Sequence, residues 1–147
     1  MKISTKGRYA TRALAELARH YGEGPVLLRD IAKKQQIPLQ YLEHLINPMA
    51  AAGLVMTTRG AKGGIRLIQP PENIRISQVV EIMEGPIIPV NCIAEPGSCQ
   101  RSGECVTRDV WTEVQQAIYG VLNSVTIKDL VERQHRKDEC AQHNFDI

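Results

Sequence analysis

From Ser4 onward, apolar residues recur at three- and four-residue steps. Ala10, Ala13, Leu14, Leu17, Ala18 and Tyr21 fall on one face, which predicts a first helix with Ser4 as its N-cap. Gly22 and Gly24-Pro25 stop it. A second helix over residues 29–35 turns Ile31 and Ala32 inward, and Gln36-Ile37 reverses the chain before Pro38, whose fixed φ suits the start of a third helix. There Leu39, Leu42, Leu45, Ile46 and Met49 form the buried stripe, leaving Gln40, Tyr41, Glu43 and His44 on other faces. Pro48 is expected to kink or interrupt this helix.

After Gly53 the period changes to that of strands. Residues 54–58 and 65–68 flank Arg59-Gly60-Ala61-Lys62-Gly63-Gly64, a hairpin with a basic, glycine-rich tip. Three helices followed by such a hairpin predict a mainly α fold with a small β-wing. In this winged helix-turn-helix the third helix enters a major groove and the wing reaches an adjacent one. Residues 1–75 are expected to form this DNA-binding domain.

Residues 76–147 read differently. A linking helix from Ser77 to Glu84 ends at Gly85-Pro86, and the stretch from Pro86 to about Cys105 has prolines, glycines and no periodicity. Loops of that length in a small chain are usually functional or disordered. Val110, Trp111, Val114, Ile118, Val121 and Leu122 then line a helix over about residues 107–123, long enough to pair with a second copy in a two-fold homodimer. Thr126 caps a last helix with Asp129 at its third position, and the polar tail from Lys137 is expected to be loose.

Charge sharpens the division. Residues 1–75 hold 12 Lys/Arg against 5 Asp/Glu, a balance of +7, and residues 76–147 hold 6 against 11, a balance of −5. A basic half joined to an acidic half suits a DNA-binding module attached to a sensing or dimerising one. With 43% apolar residues but no run of about 18 to 20, and no secretory signal at the start, a cytoplasmic protein without a membrane span is expected. In a reducing compartment the four cysteines imply metal or redox chemistry rather than disulfides.

Three of them, Cys92, Cys99 and Cys105, lie in the irregular stretch, separated by six and then five residues. A loop lets three thiolates converge on one centre, and thiolate suits iron-sulfur iron and zinc. The spacing differs from the paired knuckles of structural zinc sites. Zinc and thiol redox stay open beside an iron-sulfur cluster of 2Fe-2S or 4Fe-4S type. Cys140 and His143, three apart in the tail, are a further pair of ligand-type residues. No CxxC pair and no Cys-His-acid constellation points to catalysis, so no enzyme is expected.

For DNA, Arg59 on its slim turn can enter a narrow minor groove, with Gly60 and Lys62 beside it. Gln40, Tyr41, Glu43 and His44 are the candidates on the third helix, where Glu43 can accept from cytosine. Lys33 and Lys34, with Lys6 and Arg8, are candidate phosphate contacts.

The opening residues from Met1 to Ala10, the Tyr41-Leu42-Glu43 step, the Arg59-Gly60 wing with Gly63-Gly64, and the cysteine loop together resemble the Rrf2 family of winged-helix regulators, over Met1 to about Lys137. The cluster-bearing members of that family include IscR and NsrR. The resemblance implies a homodimer and a cluster that alters DNA binding. It also implies Cys92, Cys99 and Cys105 as the three thiolate ligands, Arg59 as the minor-groove arginine and Glu43 as a recognition contact. The chain departs from the family at the fourth ligand. Arg108 stands where IscR-like members have a histidine, and Arg8 where NsrR-like members have an aspartate. Glu104, Asp109, a tail residue or an exogenous thiol are the remaining candidates. Pro38 and Gln40 replace serines of IscR-like chains, so the operator sequence is not transferable.

Overall fold

The computed structural model describes residues 2–145. Helices α1 (Thr5–Ala18), α2 (Leu28–Gln35) and α3 (Leu39–Ala51) precede a hairpin of β1 (Val55–Thr58) and β2 (Gly64–Leu67). A 3-10 turn at Pro71–Asn73 leads to α4 (Ile76–Glu84) and α5 (Asn91–Ala94). A second 3-10 turn at Pro96–Ser98 is followed by α6 (Val106–Ser124) and α7 (Ile127–His143). This is the mainly helical winged fold that the periodicity predicts.

Local chemistry sets the joints. Extended Ser4 accepts from the Gly7 N–H at 3.4 Å and starts α1. Gln36 ends α2 in the left-handed region, φ 53°, and buried Ile37 donates back to the Ala32 carbonyl at 2.9 Å. That tight reversal delivers the chain to Pro38 at the head of α3. The strands pair antiparallel, Val55 opposite Leu67 and Thr58 opposite Gly64.

One core unites these parts. Leu14, Ile31, Leu42, Met49, Leu54 and Ile65 pack with Ile74, Val79 and Ile127, so α4 and α7 close over the same apolar interior as the winged helix. α1 is its centre and touches α2, α3, α4, α7 and β2. A short antiparallel bridge pins the return of the chain. Ile76 donates to the Val125 carbonyl at 3.0 Å and Ile127 to the Ile74 carbonyl at 2.8 Å. Thr126 and Asp129 then form the expected capping box at the start of α7. Among the described residues no helix is long and apolar enough to cross a membrane.

Five expectations change. Tyr21 is 45% exposed because α1 ends at Ala18 and a tighter turn rotates the ring off the apolar face. Leu39 is 41% exposed, since the first residue of α3 stands ahead of the turn that meets the core. Pro48 neither stops nor divides α3, and the carbonyl that loses its helical donor belongs to exposed His44. The stretch expected to be an irregular loop contains α5 and a 3-10 turn. Lys137 to His143 is not loose but helical, supported by the capping box and by Gln134 donating to Asp138 one turn on, at 2.8 Å.

Candidate nucleic-acid interface and cysteine segment

Burial divides α3 cleanly. Leu42, Leu45, Ile46 and Met49 lock one side into the core, which leaves Gln40, Glu43 and His44 exposed on the other. Tyr41 lies between. It is half-buried, edge-on to Tyr9 with ring centroids 5.5 Å apart, and Arg12 stacks 5.4 Å from the centroid of the Tyr9 ring. The edge-on contact packs α3 against α1.

The wing stands beside that helix, and Glu43, Thr57 and Gly64 border one shallow hollow. Its tip turns at Gly60, φ 102°, and the Gly63 N–H closes onto the Gly60 carbonyl at 2.9 Å. Gly63 is required by space, because a Cβ there would lie 2.2 Å from the Thr58 carbonyl oxygen. At the base, Val26 and Ile65 exchange backbone hydrogen bonds of 2.8 Å, which anchors β2 to the chain entering α2. Arg59 and Lys62 remain exposed at the tip.

Lys33 is exposed at the end of α2, whereas Lys34 reaches inward to the buried carboxylate of Glu16. The two lysines, alike in sequence, therefore differ in availability. Arg8 donates to Thr5 Oγ1 at 3.1 Å, and Lys6 is exposed.

Cys92 lies half-buried in α5, Cys99 is exposed after the second 3-10 turn, and Cys105 is the N-cap of α6. Cys105 Sγ lies 3.2 Å from Thr107 Oγ1. Hydrogen bonding to Thr107, then to the Arg108 backbone, holds this thiol below its ordinary range despite the small opposing effect of desolvation. Arg108 donates from Nε to the Cys92 carbonyl at 3.1 Å and so fastens α5 to α6. Glu104 and Asp109 are exposed close by in sequence. The donor set fits thiolate coordination in its chemistry, three soft ligands on one segment with one thiol turned toward thiolate. In their positions the described residues bring no three Cys, His, Asp or Glu side chains together in a metal-holding group. Cys140 and His143 lie on the last turns of α7, where His143 Nδ1 is 3.1 Å from the Glu139 carbonyl oxygen.

No residue of α6 is buried in the single chain, although its stripe is apolar. Val110, Trp111 and Val121 are exposed. Val114, Ile118 and Leu122 face Ile3, Ile88 and Pro89 across a groove of about 680 Å³.

Polar contacts that no periodicity signals hold the start of the cysteine segment. Tyr119 donates to Glu81 at 2.6 Å and accepts from the Ile87 N–H at 3.0 Å, while Gln115 donates to the Ile87 carbonyl at 2.7 Å. The bond to Glu81, with some burial, raises the Tyr119 phenol above its usual range. Glu84 likewise accepts from Ser4, 80 positions away. Glu16 did carry a signal, since it falls three residues after Ala13 on the buried face of α1.

Residues 3–133 match the family model Rrf2, described as an iron-dependent transcriptional regulator. The chain is 41% identical to Protein rrf2 of Nitratidesulfovibrio vulgaris over 131 residues, 89% of this chain and 87% of that protein. It is 40% identical to the HTH-type transcriptional regulator CymR of Bacillus subtilis over 130 residues, 88% of this chain and 89% of the relative. The solved structure of CymR, the global cysteine regulator of B. subtilis, superposes with a TM-score of 0.77 at 38% identity, covering 90% of this chain and 98% of that one. The structure of T. potens IscR gives 0.74 at 36% identity, covering 91% and 88%.

Proposed function

The chain belongs to the Rrf2 family of transcriptional regulators, which are not enzymes, and from that premise we propose a homodimer whose grip on DNA is set by the state of its cysteine segment. In this reading the α3 helices of two copies enter major grooves about one helical turn apart on a roughly palindromic site. Gln40, Glu43 and His44 address base edges, and Tyr41 holds the helix in place. Arg59 enters the flanking minor groove with Gly60 at its side, and Lys62 and Lys33 neutralise phosphates. Lys34 joins them only by releasing Glu16. Because this grip rests on cations, affinity falls steeply with salt. The apolar side of α6 is buried against its counterpart in the second copy.

Cys92, Cys99 and Cys105 are the residues that would hold an iron-sulfur cluster, with Glu104 or Asp109 as candidate fourth ligands. Such a cluster, when bound, supplies a centre sensitive to iron supply, oxygen or nitric oxide. Cys105 contributes a thiol already displaced toward thiolate, and Arg108 keeps α5 close to α6. The observation that carries this reading is the location of three thiols on the one segment that joins α4, in the DNA-binding core, to α6.

A second reading has support of its own. The resemblance to the cysteine regulator CymR, together with thiols that are not drawn round one centre, favours a cluster-free thiol sensor sharing the same DNA-binding half. Anaerobic purification followed by iron, sulfide and zinc analysis decides between them. Iron and sulfide in comparable amounts, with a coloured protein, support the cluster. Metal-free protein whose DNA affinity changes on thiol oxidation supports the second reading, and zinc alone rejects the cluster in favour of a zinc-dependent regulator.

A further inference from the structure

We propose that Glu84 is the positioning residue through which the cysteine segment acts on the DNA-binding head, by holding the N-terminus of α1; the nature of the signal it passes rests on the reading above.

Glu84 is the last residue of α4 and adjoins Gly85, φ 79°, where the chain leaves for the cysteine segment. Its Oε1 accepts from the Ser4 N–H at 2.6 Å and from the Ser4 hydroxyl at 2.7 Å. The approach is close enough that a Cβ on Gly7 would lie 2.5 Å from the same oxygen. The first turn of α1 contains no acidic residue, so the carboxylate that complements the positive end of this helix comes from α4 instead. Ser4 in turn caps Gly7. Beside the packing of α4 on α1, this carboxylate thus positions the first turn of the helix at the centre of the core, which touches α2, α3 and β2.

The other end of this connection is equally fixed. Tyr119 of α6 bridges Glu81 of α4 and the Ile87 N–H, while Gln115 holds the Ile87 carbonyl. Glu81 and Glu84 are one helical turn apart on α4. A displacement of the segment beyond Ile87, or of α6, therefore reaches the end of α4 and, through Glu84, Ser4. Because Glu84 is exposed, its charge is screened and its bonds exchange readily with water. Such a contact sets position and adds little stability, as a reversible link requires.

The test is a double-mutant cycle on the full chain with Glu84→Ala and Tyr119→Phe. It reads amide hydrogen exchange over residues 4–8 and affinity for a duplex that the wild-type protein selects from a random-sequence library. Each single change should speed exchange at the start of α1, and the double should add little to the larger single effect, a departure from additivity of roughly threefold or more. Additive effects overturn the link. In iron-loaded protein, the ratio of DNA affinities with and without iron, roughly 5- to 150-fold for a coupling of ordinary size, should fall by about threefold or more in Glu84→Ala at unchanged iron content, the part that an exposed contact can carry. Glu84→Gln, which keeps an oxygen for Ser4, should retain most of that ratio. A full ratio in Glu84→Ala also overturns the proposal. If the wild-type chain binds no iron, the cluster reading fails, and non-additivity between positions 84 and 119 still supports the link.

Discussion

The ammonium of Lys34 lies 2.6 Å from Oε1 of Glu16, a carboxylate only 2% exposed and also bonded by Gln35 at 3.0 Å. Burial alone would raise this carboxyl. Hydrogen bonds from Lys34 and Gln35, with the charges of Lys34 and Arg19, outweigh it and hold the group below its ordinary value of 4.5. A carboxyl depressed in the folded state contributes stability above that ordinary value. The contribution is lost as pH falls from 4.5 through the lower folded value. Lys34→Ala should therefore cost about 1 to 3 kcal/mol at neutral pH, a range discounted because the lysine is half exposed. It should also move the acid limb of unfolding to higher pH. Denaturant melts from pH 3 to 7 measure both, and an unmoved acid limb would refute the pairing.

Arg59→Ala should weaken specific DNA binding by about 1 to 3 kcal/mol with the oligomer unchanged, whereas Lys62→Ala should lower the salt slope by about one. Fluorescence anisotropy titrations at several salt concentrations separate the two roles. Unaltered affinity in Arg59→Ala removes the wing from the interface.

Gly63→Ala forces a methyl group against the Thr58 carbonyl, so the turn must open. DNA affinity should fall while the helical circular dichroism and the oligomeric state persist. Wild-type affinity would mean that the wing conformation does not matter to binding.

Val121 is 64% exposed in the single chain, so Val121→Glu should leave the fold intact. Placed in a dimer interface it buries a charge in each copy, costing about 3 to 5 kcal/mol and shifting the mass by sedimentation toward that of the monomer. A dimer that tolerates the change assigns the contact elsewhere.

Where the wild-type chain retains iron and sulfide, Cys99→Ser should abolish that retention with little change in melting temperature, because Cys99 is exposed. Full iron content in this variant would remove Cys99 from the ligand set.

The helices and the wing were legible because burial imposes periods of 3.6 and 2 on the residues that supply it, and Leu42, Leu45, Ile46 and Met49 obey that rule. Ser4 and Thr126 were legible as caps because capping is local. Tyr21 and Leu39 misled at helix ends, where one tight turn or one residue separates core from solvent. Ser4 and Glu84, or Ile87 and Tyr119, meet only after the chain has folded, and polar contacts across such separations leave no periodic trace. The cysteines were conspicuous by type, but residue type does not specify how three sulfurs are arranged in space.

The bridge between Arg75 and Thr126 gives α6 a fulcrum. Nineteen residues of helix span about 28 Å from Cys105 at the N-cap to Val125, which is pinned to Ile76, and Arg108, Gln115 and Tyr119 tie the length between to Cys92, Ile87 and Glu81. A tilt of about 5° at the pivot swings that tip by about 2.5 Å, a distance comparable to one hydrogen bond. In the proposed reading, a modest rearrangement of the sulfurs near Cys105 would translate into a small rotation where α6 joins the core that carries α3 and the wing.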